Sequence, residues 1–231
     1  MATQDFHRHA RVRNIGQTIE TETPGTPSLE RRDMNTTSGR TVLITGASTG
    51  IGEATALALA ERGFDVIAGV RNEEAAARLR ELSNERLETL ILDVTNDEDI
   101  ENALAFITKR VGGRGLYGLV NNAGISVNGP VEMLSVDEIR HQFEVNLFGL
   151  IAVTKAFLDL LRLGRGRLVL TGSTNGFMAV PLMGPYCMSK FGMEALADVL
   201  RLELRPWGIE VSILEPGAIE TPIWDKAFDG A

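Results

Sequence analysis

The amino-acid sequence predicts an α/β protein built on a doubly wound parallel sheet, and three observations carry that reading. Short apolar runs alternate with helix-period segments six times between Arg40 and Leu214. A glycine turn, Thr45-Gly46-Ala47-Ser48-Thr49-Gly50-Ile51-Gly52, joins the first run to the first helix. Amides, hydroxyls, a phenol and a lysine recur just after the runs, where ligands of such sheets sit.

Residues 1–39 are of a different composition. Threonines, Pro24, Gly25 and Pro27 interrupt a polar stretch without periodicity, which predicts a disordered N-terminal extension. Met34 opens a natural lead-in to the first strand, so residues 1–33 are expected to be dispensable. Residues 40–231 form the folded domain.

Within that domain, Thr41–Thr45 is the first strand and Ile51–Arg62 the first helix. Asp65–Gly69 is a second strand, apolar enough to be covered on both faces. Asn72 caps a helix running to Leu82. Leu87–Leu92 is the third strand, and Thr95 with Glu98 reads as a capping box for a helix to Arg110. Leu116–Val120 is the fourth strand. Ser135 and Glu138 form another box, opening one long helix to Leu163, whose apolar run Leu147–Val153 asks for burial on more than one side. Leu168–Thr171, a helix from Tyr186 to Arg205 and the strand Glu210–Leu214 complete the pattern. Right-handed crossovers give such a chain helices on both faces of the sheet.

Composition excludes several function classes. With 231 residues, 44% apolar and 23% charged side chains, the chain is ordinary for a soluble protein. A net charge of −8 with no Lys/Arg block argues against nucleic-acid binding. One cysteine, Cys187, and three histidines leave no disulfide framework and no zinc cluster. The sequence shows neither an apolar run of roughly 20 residues nor a signal peptide. A cytoplasmic protein without a metal is the expectation.

The residues after the strands define the chemistry. The first glycine turn lets a backbone approach a pyrophosphate at a helix N-terminus. After the second strand, Arg71 offers a fork of donors suited to a 2′-phosphate, which favours NADP(H) and leaves NAD(H) possible. Asp93-Val94 follows the third strand. Asn121-Asn122-Ala123-Gly124 follows the fourth, with two amides able to tie loops together beside small residues. Ser173 follows the fifth. Tyr186 and Lys190, at i and i+4, share one face of the next helix. A buried ammonium beside a phenol lowers its pKa and makes it a useful acid/base. Pro216-Gly217 and Ile219…Thr221 follow the sixth strand in a stiff loop.

Together these motifs resemble the short-chain dehydrogenases/reductases, a Rossmann-fold family. The matches are TGASTGIG at Thr45–Gly52, NNAG at Asn121–Gly124, Asn146 within FEVNLFG, Ser173, YCMSK at Tyr186–Lys190, and Pro216-Gly217…Thr221. Their order and spacing agree over residues 40–224, and the glycine spacing differs from the family's extended branch. The resemblance implies an NAD(P)-dependent oxidoreductase moving hydride between nicotinamide and a secondary alcohol or ketone. Tyr186 would exchange the proton, Lys190 hold the nicotinamide ribose, Ser173 bind the substrate oxygen, and Asn146 hold a relay water. The glycine turn, with Ser48, Thr49 and Ile51, would bind the pyrophosphate end. Asp93 and Val94 would contact the adenine, Asn121, Ala123 and Gly124 the ribose side, and Pro216, Gly217, Ile219 and Thr221 the carboxamide. The run from Gly184 to Gly217 looks nearest to the retinol, hydroxysteroid and 3-hydroxybutyrate dehydrogenase branch, which implies a small-molecule, apolar substrate; Met178, Val180, Leu182 and Met183 either line its pocket or pack the core. Family members usually form dimers or tetramers through their two long helices, so a homodimer is expected, with the tetramer less secure.

The sequence departs from the family after Thr221, where a lid, a further helix and a seventh strand are not readable. The expectation is therefore six strands with the sixth at an edge, and a substrate side without its cover. The alternative to a working oxidoreductase is a non-catalytic nucleotide-binding remnant or a truncated fragment of such an enzyme.

Overall fold

In the computed structural model, residues 37–219, 221 and 223 are described. The extension before residue 37, including Met34, lies outside them. Thr37–Gly39, placed in that extension by composition, instead make a turn in which Thr37 Oγ1 donates to the Arg62 carbonyl at 2.7 Å.

Six parallel strands stand in the order β3-β2-β1-β4-β5-β6, with β1 at Thr41–Ile44, β2 at Asp65–Val70 and β3 at Leu87–Ile91. β4 covers Gly118–Asn121, β5 Arg167–Thr171 and β6 Glu210–Leu214. The order reverses between β2-β1 and β4, which opens the crevice of a doubly wound Rossmann sheet at the carboxyl ends of β1 and β4.

Each helix begins where the sequence can satisfy or expose its first N–H groups. Helix α1 (Gly50–Glu61) follows the glycine turn, and α2 (Glu73–Leu82) is capped by Asn72, which accepts from Ala75 N–H at 2.9 Å. Helix α3 (Asp97–Val111) corrects the expected capping box. Asn96 is its cap, accepting from the Glu98 and Asp99 N–H groups, because Thr95 already spends its hydroxyl on Asp93 at 2.6 Å. The Ser135–Glu138 box forms as expected and opens α4 (Val136–Phe143).

The long helix expected from Ser135 to Leu163 is broken. A π-helical turn, Glu144–Gly149, separates α4 from α5 (Leu150–Gly164). Gly149 permits the close approach there, since a Cβ would lie 2.8 Å from the Val94 carbonyl. Phe148, within the apolar run read as buried, is half exposed. Helix α6 spans Gly184–Leu204. Strand β4 starts later than Leu116 because the Leu116 N–H is taken by Leu160 O of α5.

Two cores lie on the two faces. One gathers Ile100, Ala103, Ile107 and Val111 of α3 with Val153 and Phe157 of α5 and Met193 and Ala197 of α6, over Leu43, Leu119, Leu168 and Leu170. The other packs Ala56 and Ala60 of α1 and Ala76 and Leu79 of α2 on Val42, Ile44, Val66 and Ala68. On β6, Val211 is buried while Glu210, Ser212 and Leu214 face outward, and among the described residues β6 stands last in the sheet order.

Candidate active site

The glycine turn is locked to the loop after β4. Gly46 and Gly50 take φ values of +64° and +61°, and a Cβ on Gly46 would come within 2.6 Å of Ala123 Cα. Asn122 Nδ2 donates to the Thr45 and Gly46 carbonyls at 3.1 and 3.0 Å. Thr45 Oγ1 accepts from both the Asn122 and Ala123 N–H groups. Thr45 and Asn122, not among the predicted ligands, are the residues that hold the two loops together. Gly52 fits this clamp as well, since a Cβ would lie 2.4 Å from Asn122 Nδ2.

This geometry fits a dinucleotide. Whereas Asn72, Asn96 and Ser135 cap α2, α3 and α4, Thr49 makes no side-chain cap on α1. The N–H groups at that end therefore remain for an anion, reinforced by the helix dipole. Two buried oxygens, Asn121 Oδ1 and Thr171 Oγ1, stand without partners at the carboxyl ends of β4 and β5. Such orphaned groups suit a polar ligand or bound water.

Ser173, Tyr186 and Lys190 come together beyond β5. Ser173 Oγ accepts from Asn175 N–H at 3.1 Å and shares a hydrogen bond with Tyr186. The Lys190 Nζ lies 5.6 Å from the Tyr186 ring centroid and donates to the Thr171 carbonyl at 2.6 Å. All three side chains are buried.

The electrostatics correct one expectation. The Tyr186 hydroxyl is pushed up, not down, because burial outweighs the hydrogen bond from Ser173 that favours its charged form. Lys190 is itself brought down to about 8 by burial, with the charge of Glu194 opposing the shift. A phenol and an ammonium buried together both resist charging.

Asn146 lies in the π turn and is fully committed. Its Oδ1 accepts from Ile125 N–H at 2.8 Å, while Nδ2 donates to Ile125 O and to Ser189 Oγ. Ser189 Oγ in turn donates to Tyr186 O at 2.7 Å, so Asn146 is tied to the first turn of α6. Gln142 repeats the clamp four residues earlier, bonding Val127 N–H and Ile125 O from a fully buried position. Sequence reasoning missed Gln142 and Ser189. The amides of Gln142 and Asn146, at i and i+4, were the available signal for Gln142, and nothing in the sequence marked Ser189.

Arg71 is exposed just after β2, and its charge helps to hold down the Asp93 carboxyl. That carboxyl ends below the ordinary range although burial pushes it up, because Thr95 donates to it through both hydroxyl and N–H. Val94 is buried against Gly149. Pro216 O accepts from Thr174 N–H at 3.0 Å, which anchors the Pro216-Gly217 loop to the turn after Ser173. Ile219 and Thr221 line a cavity of about 520 Å³ with Gly50, Ile51 and Ala54, a lining without Ser173, Tyr186 or Lys190. The structure thus brings the catalytic candidates together and sets Ile219 and Thr221 beside α1.

The comparisons with known proteins agree with this geometry. Residues 40–231 match the profile of the short chain dehydrogenases. Retinol dehydrogenase 7 of Rattus norvegicus is 45% identical over 195 residues, covering 84% of this chain and 61% of that protein. The mitochondrial D-beta-hydroxybutyrate dehydrogenase of Mus musculus is 41% identical over 200 residues, covering 84% of this chain and 58% of that protein. The crystal structure of 3-ketoacyl-(acyl-carrier-protein) reductase from Brucella melitensis, complexed with NADH, superposes with a TM-score of 0.78 at 25% identity, over 84% of this chain and 82% of that one. The chain thus spans about three fifths of the length of the curated relatives it matches.

Proposed function

The chain belongs to the short-chain dehydrogenase family, and from that premise we propose that it moves hydride between a nicotinamide cofactor and a secondary alcohol or ketone. The observation that carries this reading is the burial of Ser173, Tyr186 and Lys190 together beyond β5, in a sheet whose first strand ends in a glycine turn with no side-chain cap on its helix. The bound cofactor supplies or accepts the hydride.

The chain's own residues manage the proton and the substrate oxygen. Tyr186 hands its proton to a carbonyl oxygen, or takes one from an alcohol. Burial keeps the phenol protonated, which suits the reducing direction. Ser173 hydrogen-bonds the same oxygen. Lys190 spends one of its three donors on Thr171 O, and the others are left for a ribose hydroxyl. The Asn146 side chain is committed to Ile125 and Ser189, so its part in a proton relay falls to its main-chain carbonyl in the π turn.

The glycine turn, with Ser48, Thr49 and Ile51, takes the pyrophosphate; Asp93 and Val94 take the adenine, and Asn121, Ala123 and Gly124 the ribose side. Pro216, Gly217, Ile219 and Thr221 take the carboxamide once the loop leaves its place beside α1. Arg71 favours NADP(H) over NAD(H). Phe177, Met178 and Leu182, 60%, 53% and 58% exposed between Ser173 and Tyr186, favour an apolar substrate over a core-packing role. Exposed Phe148, Phe191 and Leu202 on the helical face support a homodimer. No helix among the described residues is long and apolar enough to cross a membrane. The single free, buried cysteine is in keeping with a reducing cytoplasm.

The test is to titrate the full chain with NADPH and NADH, then to assay the better cofactor against a panel of apolar ketones and secondary alcohols. Saturable binding with turnover of at least one ketone is expected. Failure to bind either cofactor would overturn the reading.

A further inference from the structure

A guanidinium that the proposed chemistry does not use reaches the glycine turn. Helix α2 sets Ala76 and Leu79 on the sheet and leaves Arg78 on its outer side, with 45% of the side chain exposed. From there Arg78 joins three elements. Its Nη2 donates to the Ser48 carbonyl of the glycine turn at 2.5 Å. Its two Nη atoms also grip both carboxylate oxygens of Glu53, which stands in the first turn of α1. Such a two-pronged grip fixes direction as well as distance. A solvated clip between two helices would need only Glu53 and would contribute little. The main-chain oxygen of the turn is the partner that such a clip does not explain.

Arg78 acts where the other fastenings of the turn stop. Thr45 N–H donates to Val120 O, Ala47 N–H to Gly69 O, and Asn122 Nδ2 to the Thr45 and Gly46 carbonyls. Those bonds pin residues 45–47. Among the described residues, the Ser48 carbonyl takes its one side-chain hydrogen bond from Arg78, just before Thr49 and the N–H groups that open α1. Glu53 follows Gly50 by three residues, so its carboxylate stands within one turn of those N–H groups. Left unpaired, a charge at that range opposes a bound anion strongly enough to change affinity several-fold.

Resting on the oxidoreductase reading, we propose that Arg78 is a positioning residue of the cofactor site: its guanidinium holds the Ser48 carbonyl in place and cancels the Glu53 charge, so that the first N–H groups of α1 face the pyrophosphate unopposed. Arg78 differs in this from Arg71. Its Nη donors are already given to Ser48 and Glu53, so it works through the turn and not on a 2′-phosphate. The pyrophosphate is common to NADPH and NADH, and Arg78 therefore serves both alike.

The experiment is a fluorescence titration of the full chain with NADPH and with NADH, comparing the wild type, Arg78→Met and the double variant Arg78→Met with Glu53→Gln. Far-UV circular dichroism checks the fold of each. Arg78→Met keeps the apolar stem and removes the fork of donors. Its Kd is expected to rise by about fivefold or more for both cofactors. The double variant is expected to recover most of that loss, because the carboxylate released by the first change is gone. The KM for cofactor should follow Kd, with kcat within about twofold of the wild type. Should Arg78→Met fail to fold, Arg78→Gln carries the same expectation. Unchanged affinity for both cofactors overturns the proposal. So does a loss confined to NADPH, which would make Arg78 a 2′-phosphate contact, and so does a double variant as weak as the single one. A wild type that binds neither cofactor overturns the oxidoreductase reading and this proposal with it. A wild type that binds, beside an unaffected Arg78→Met, overturns the proposal alone.

Discussion

In the proposed function, the preference for NADPH rests on a single guanidinium, that of Arg71. It is exposed after β2, and its charge helps to lower the Asp93 carboxyl. Arg71→Ala is expected to weaken NADPH by about tenfold or more, as loss of a charge-assisted contact of ~1.5–3 kcal/mol requires. NADH should change less than about twofold by comparison. Equal losses, read by fluorescence titration, would remove the 2′-phosphate argument. Lys190 gives a second, independent signature. Its folded pKa of about 8 lies below the ordinary 10.5, so between those values the unfolded chain binds the extra proton. Stability is then expected to rise with pH across that window, the cost of the buried charge being fully present below about 8. Tyr186, raised above its ordinary 10, acts in the opposite direction only at higher pH. Urea unfolding from pH 7 to 10 should show the rise in the wild type and not in Lys190→Met; parallel profiles would contradict it. At this scale the identities were legible and the couplings were not. Tyr186-x3-Lys190 announced the pair, but whether the ammonium lowers the phenol depends on how deeply both are buried, which spacing does not encode. Gln142 and Thr45 escaped notice because each acts through main-chain atoms far away in sequence, and Ser189 because it joins the Asn146 side chain to the main chain of its own helix.

The elements show the same division. Strands and helices were readable from alternation and caps, and Asn72 and Ser135 cap as their sequence signatures require. The cap at α3 was misplaced by one residue because Thr95 and Asn96 are both competent, and the Asp93 carboxylate decides which hydroxyl or amide is left. The π turn at Glu144–Gly149 was invisible in the 3.6-residue pattern, since one extra residue shifts the apolar face by less than the width of the stripe. It is imposed by tertiary contacts: Asn146 must reach Ile125 and Ser189 while Gly149 meets Val94. The end of α5 offers a direct test of local strain. Arg165 adopts φ +42° and ψ 52°, with Gly166 N–H bonding Leu161 O and Arg165 N–H bonding Arg162 O, a Schellman closure. A side chain in that left-handed position is unfavourable, so Arg165→Gly is expected to raise stability by about 1 kcal/mol. An unchanged or lowered urea midpoint would show that Arg165 makes a compensating contact.

At the scale of the whole molecule, one face of the sheet is covered by α3, α5 and α6, and the other carries α1 and α2 over β1 to β3. That topology was legible because six strand–helix alternations with right-handed crossovers leave few arrangements. The oligomeric state was not, because an apolar run such as Leu147–Val153 serves core and interface alike. Phe148 and Leu202, 52% and 73% exposed, are the residues a second copy would cover. The chain is expected to sediment as a dimer, and Phe148→Asp with Leu202→Asp as a monomer of the same secondary structure. A wild type that is already monomeric would contradict that. The central claim is that the buried Ser173–Tyr186–Lys190 group runs hydride transfer with Tyr186 moving the proton. It is tested most directly by measuring NADPH affinity and ketone turnover of Tyr186→Phe beside the wild type. Affinity within about twofold and turnover lowered by at least about a hundredfold are predicted, matching the ~10²–10⁴-fold that a positioned acid/base contributes. Turnover that survives the substitution with affinity intact would contradict the account.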